Sequence, residues 1–300
     1  MQYVPVRIRT LRPDNIVNFD VYVQLGQRYV HYIRNSSPFE EERLSRLKEK
    51  KVKKLYIRLE EEPQYLAYLS SGLDDLNNKE VTLEKRSEFA KDALITEAEN
   101  IERSFETEKG YHRTEEHMQK VIDFLTSDKG ALKSILASSG VSFDNFQHCA
   151  NVASLALGLA TRVGVADNKE HLAMGLAALL HDIGIPKLGL DPNALKSSFT
   201  EEQTKTYKRH PGIAVEVLAG KPYITPKILR LISDHEEIGM GKGFPERKYL
   251  PKLPLSSQVL NLCNDFDRFS IEKGLAPLEA FSPFVDERGE LFDMNHVAQL

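Results

Sequence analysis

Tryptophan is absent from this 300-residue chain, cysteine occurs only at Cys149 and Cys263, and 40 basic side chains are outnumbered by 44 acidic ones. Two cysteines, each inside an apolar helical pattern, exclude a disulfide framework and read as small buried thiols. A net charge of -4 with the signs intermixed provides no basic surface to grip duplex nucleic acid, and leaves small anionic ligands open. Long hydrophobic runs are also missing. The stretch Leu172–Leu180 (LAMGLAALL) falls far short of the roughly 20 apolar residues that span a bilayer, so no membrane span is expected. The opening MQYVPVRIRT lacks the apolar centre of a signal peptide, which points to a cytoplasmic protein.

What is present is an ordinary globular composition, 41% hydrophobic and 28% charged, at a length that suggests two domains. Alternation predicts a strand over Val4–Arg9 and a hairpin over Asp20–Ile33 that turns at Leu25-Gly26-Gln27. Helical spacing follows over Phe39–Lys51, a strand over Lys54–Leu59 and a helix over Pro63–Leu76. Arg7, Arg9 and Arg12 read as a solvated strand face. This α+β unit, residues 1–79, carries no catalytic constellation and is expected to sense, dimerise or dock a protein partner. Residues 80–139 favour helix almost throughout, with breaks expected at Gly110 and at Ser127–Gly130, and form a linker able to pair two subunits in a homodimer. From 140 to 300 the pattern stays helical, interrupted by loops at Gly184–Pro192, Gly220–Pro222 and Gly239–Pro254.

The chemistry-bearing residues sit at the edges of these apolar helical stretches. His148 shares a face with Val152, Leu155 and Leu159, so its ring points toward the core. His181 and Asp182 follow Leu179-Leu180, which places a carboxylate at the inner end of a buried helix, where it is costly if unpaired. A cation removes that cost: imidazole can take one metal while the two carboxylate oxygens bridge a pair.

His148, HDIG at His181–Gly184, His210-Pro211, HEEIGMGKGFP at His235–Pro245 and NDFD at Asn264–Asp267 resemble, in order, the motif series of HD-GYP domains. The likeness covers about Phe143 to Ala280. It implies a small α+β N-terminal domain followed by an all-α HD-type helical domain, with two divalent metal ions, iron foremost and manganese or zinc as alternatives. By position it implies His148, His181, Asp182, His210 and His235 as ligands. Glu236 stands where a second histidine is usual, and Asn264 where an aspartate is usual. Asp265, charged and adjacent, is the expected ligand there, with Asn264 and Glu236 as additional candidates. Because neighbouring helical residues diverge by about 100°, only one of Asn264 and Asp265 can face the metal.

The motif tyrosine is replaced by Phe244 and the lysine after HDIG by Ile185, with Lys187 two residues on. Of two downstream basic positions, Lys273 occupies one and Ala276 the other. The resemblance therefore implies a metal-dependent phosphodiesterase of cyclic di-GMP or another small phosphodiester. Asp182 and Lys187 are its expected catalytic residues, and Lys187 and Lys273 its phosphate contacts. A degenerate nucleotide sensor or partner-docking module is the alternative.

Overall fold

The computed structural model describes residues 2–50, 52, 54–139 and 141–300. It divides into two compact units, Met1–Thr96 and Glu97–Leu300. The expected helix end at Lys51 and the expected boundary at Gly140 fall outside the described residues.

In the first unit, strands β1 (Tyr3–Arg7), β2 (Ile16–Val17), β3 (Val21–Leu25), β4 (Arg28–Ile33), β5 (Ser37–Pro38) and β6 (Lys54–Arg58) form two antiparallel sheets. The larger has the order β1-β6-β3-β4. Val4 and Val6 of β1 lie opposite Ile57 and Leu55 of β6, and all four are buried, so one face of the pleat carries the core. The β3–β4 turn passes through Gly26 at φ 61, a left-handed conformation open to glycine. Helices α1 (Glu41–Glu49) and α2 (Glu62–Asp74) add Leu44, Leu47, Tyr65 and Tyr68 to the same core. The pair β2–β5 carries no alternation long enough to be read from sequence.

Arg7 is not part of a solvated face: it is buried beside Asp92, whose carboxyl is raised by burial and lowered in turn by Arg7 and Arg9. Arg12 donates to Asp75 Oδ2 at 2.5 Å and stands over the Tyr68 ring.

Helix α3 (Leu83–Ser104) precedes α4 (Glu108–Ser127) and α5 (Ala131–Ala137). The expected break at Gly110 lies earlier, because Thr107 accepts from Gly110 N at 3.1 Å and caps α4. Gly110 then sits in the first turn, where a Cβ would meet the Ser104 carbonyl oxygen at 2.1 Å. There follow α6 (Asn145–Arg162), α7 (Asn168–Leu180), α8 (Gly184–Lys187), α9 (Glu201–Tyr207) and α10 (His210–Leu218). Then come α11 (Pro226–Asp234), α12 (Leu255–Lys273), α13 (Pro277–Arg288) and α14 (Met294–Val297). Helix α6 packs on both α7 and α12.

The start of α6 is set by Asp144, which accepts from Phe146 N, and that of α11 by Thr225 followed by Pro226, both regular helix-start signals. Cys149 and Cys263 are buried and free, and burial pushes both thiols up. Among the described residues no helix is long and apolar enough to cross a membrane.

Candidate metal centre

Three histidines stand at the edge of a helix, and each ring is fixed by the turn it ends or follows. His181 follows the last residue of α7, His235 follows α11, and His210 opens α10. The Nδ1 of each faces the carbonyl three residues back: Ala178 O at 2.8 Å, Ile232 O at 2.6 Å and Tyr207 O at 2.7 Å. A carbonyl only accepts, so the proton must be on Nδ1 and the neutral ring presents a bare Nε2. His148, inside α6, reaches the same condition through a carboxylate: its Nδ1 lies 2.6 Å from Asp267 Oδ2. Asn151 donates to the other oxygen of Asp267 at 2.9 Å.

Four bare ring nitrogens converge on Asp182. His148 and His181 meet Nε2 to Nε2 at 3.1 Å, and His210 and His235 at 2.8 Å. Asp182 Oδ2 is 3.3 Å from His181 and 3.8 Å from His148, while Oδ1 is 3.4 Å from His210 and 3.9 Å from His235. Each carboxylate oxygen thus belongs to one histidine pair. Asp182 Oδ1 is buried and has no hydrogen-bond partner. Lone pairs facing each other at such distances repel unless a cation lies between them. Burial pulls His148 and His210 down to about 4 and His235 well below its usual range, which disfavours a proton as the positive charge on those three rings.

Burial alone would raise Asp182, but the Arg268 guanidinium holds it well below the carboxylate range. It is therefore anionic. The groups His148–His181–Asp182 and Asp182–His210–His235 can each hold a metal ion, and imidazole nitrogen with carboxylate oxygen suits iron, manganese or zinc. On these observations the donor set fits divalent metal.

Around this cluster the remaining expected residues divide. Asn264 directs Oδ1 to His148 Nε2 at 3.1 Å, its amide fixed because Nδ2 donates to the His235 carbonyl at 3.3 Å. Asp265 does not reach the cluster. It pairs with Arg288 through two hydrogen bonds of 2.6 and 2.7 Å between α12 and α13, because the step from 264 to 265 rotates it to another helix face. Glu236 lies in the next layer, its Oε1 accepting from Tyr207 Oη at 2.6 Å and Lys196 Nζ at 2.7 Å. Burial would raise Glu236, but the Lys196 ammonium lowers it.

Lys187 and Lys273 point elsewhere, to Glu102 at 3.3 Å and Glu287 at 2.8 Å; both are exposed, and an exposed carboxylate partner accounts for each charge. Three residues of the site escaped the sequence reading: Asp267, Arg268, which donates to Asp182 Oδ2, and Lys196. The first two had a signal, because positions three and four beyond Asn264 share its helix face. Lys196 sits in a short 3-10 turn outside any helical pattern.

A second backbone contact fixes the histidines relative to one another. A Cβ at Gly184 would lie 2.3 Å from the His210 carbonyl oxygen and 2.9 Å from Ala214 N, so the glycine of HDIG lets α8 touch α10.

A profile of the HD domain family matches residues 121–295 of the chain. The cyclic di-GMP phosphodiesterase response regulator RpfG of Xanthomonas campestris pv. campestris is 27% identical over 163 residues, which make up 50% of this chain and 39% of that relative. In fold, the chain is similar to Bd1817, an HDG"Y"P protein from Bdellovibrio bacteriovorus, with a TM-score of 0.81 and 26% identity over 99% of this chain and 98% of that one. With the profile covering more than half of the residues and the ordered histidines at its centre, the chain belongs to the HD domain family, as an HD-GYP domain protein.

Proposed function

We propose that the chain is a metal-dependent phosphodiesterase acting on cyclic di-GMP or another small phosphodiester. The observation that carries this reading is the pair of facing Nε2 couples on either side of Asp182, at 3.1 and 2.8 Å. In this reading His148 and His181 hold one divalent ion and His210 and His235 the other, with iron first and manganese or zinc as alternatives. Asp182 would be shared between the two groups, and Asn264 would add a neutral amide oxygen beside His148. When bound, such ions supply Lewis acidity and activation of water at neutral pH.

The chain's own residues do the rest. Asp267 keeps His148 in the tautomer that exposes Nε2 and makes that nitrogen more basic, and the three carbonyls do the same for the other rings. The burial of all six donor residues keeps bulk water from competing with them. For the Met1–Thr96 unit the reading assigns regulation or docking, supported by the exposed Ile16, Leu25 and Val30.

Protein purified without oxygen and loaded with iron or manganese is expected to convert cyclic di-GMP to the linear dinucleotide or GMP. A second reading, binding without turnover, draws on Phe244 in place of the motif tyrosine. Calorimetric binding with no product under either metal would select it, and absence of both binding and turnover would overturn the two together.

A further inference from the structure

We propose that the phosphate of the ligand is held by Arg268 and Lys196, with the ring of Phe143 beneath the adjoining base. This rests on the phosphodiester reading above and names its contacts. A shallow cleft opens beside His148, and its wall includes Phe143, Asn145, Lys196 and Arg268. Arg268 projects from α12 with its side chain 11% exposed. It contacts Asp182 Oδ2 and, at 3.2 Å, Asn145 Oδ1, both through Nη2. Its Nε is buried with no hydrogen-bond partner, so part of a five-donor fork built for oxyanions is unspent.

Lys196 is held in place by Glu236 and lies over the Tyr207 ring at 4.7 Å, so little side-chain freedom remains to be lost on binding. Each of the two cations already has a carboxylate partner, Glu236 for Lys196 and Asp182 for Arg268, and both line the cleft, so an anion seated there would meet two positioned positive charges. The carboxylates of the wall do not oppose an anion freely. Asp144 caps α6 at Phe146 N, 3.0 Å away, and Glu272 accepts from Ser197 Oγ. Phe143 is 51% exposed at the cleft, an aromatic face of the kind on which bases stack. A phosphate joined through a sugar to a planar base, that is a nucleotide, satisfies all three residues, whereas Lys187 and Lys273 lie outside the wall of the cleft.

The test uses the full chain loaded with manganese, calorimetry with inorganic phosphate and with a hydrolysis-resistant phosphorothioate of cyclic di-GMP, and metal content by plasma emission. Arg268→Gln and Lys196→Gln are each expected to weaken both probes at least about tenfold with metal content retained. Phe143→Ala is expected to weaken only the dinucleotide, and Lys187→Gln and Lys273→Gln to stay within about twofold of the unsubstituted protein. Unchanged phosphate affinity in the Arg268 and Lys196 variants, or a larger loss in Lys187→Gln or Lys273→Gln, would overturn the cradle. Should Arg268→Gln fail to fold or lose metal, Lys196→Gln on its exposed turn decides. An unchanged dinucleotide affinity in Phe143→Ala would overturn the stacked base. If the unsubstituted protein bound phosphate but not the dinucleotide, the cyclic di-GMP reading would fail, while the cradle would still stand or fall on phosphate alone.

Discussion

The Glu97–Leu300 unit buries histidine against carboxylate in two places, with opposite results. Between α3 and α4, Glu97 receives His117 Nδ1 at 2.7 Å on one oxygen and Thr114 Oγ1 at 2.6 Å on the other. That carboxylate is satisfied by its own neighbours, and one ring nitrogen, His117 Nε2, is left without a partner. Around Asp182, four ring nitrogens and an unpartnered carboxylate oxygen converge on one place. The ingredients are the same. The difference is whether hydrogen bonds close the carboxylate or surround it with lone pairs, and only the second arrangement asks for an ion.

The sharpest way to break this comparison is Asp182→Ala, which is expected to abolish metal binding and hydrolysis together; unchanged metal by plasma emission would refute the assignment of the centre. Next in size, Asp267→Ala removes the acceptor for His148 Nδ1 and is expected to weaken metal affinity by roughly 10- to 100-fold, read from competition with a chelator. Glu97→Gln tests the closed region. It should destabilise the fold by about 1–3 kcal/mol in denaturant titrations and leave metal content alone.

The pH dependence of that contribution has a definite sign. Burial would raise Glu97, but His117, Arg113 and Thr114 hold it below the ordinary glutamate value. Its stabilisation is therefore complete above the ordinary glutamate range and fades as pH falls below it toward the lowered value, a slope that Glu97→Gln should remove. The smallest effect is expected from Asp265→Asn. With a partly exposed partner in Arg288 it should cost about 0–1 kcal/mol and no metal. Loss of metal in that variant would restore Asp265 as a ligand and blur the contrast.

Much of the centre was legible because short motifs carry both residue type and local geometry. His148 declared its inward direction through Val152, Leu155 and Leu159, and His181-Asp182 its burial through the apolar run before it. Charge misled at Asp265, where helix geometry outweighs electrostatic preference: 264 faces the histidines and 265 faces Arg288. It misled again at Lys187 and Lys273, since a sequence does not reveal that Glu102 and Glu287 stand within reach. Lys196 could not be found, because its position depends on a loop folding back to Glu236, forty positions along the chain. In the first unit the strand alternation was readable, whereas Arg7 was not, since its burial depends on Asp92 of a distant helix.

The placement of His181 and His235 has an electrostatic consequence. Each follows the final residue of its helix, α7 or α11, so two helix macrodipoles direct their negative ends, each equivalent to about half an elementary charge, at the same few ångströms. That field acts on any positive charge regardless of its chemistry. Arg268 at Asp182 already sits in it, and a divalent ion would be drawn to the same point by the backbone as well as by its ligands.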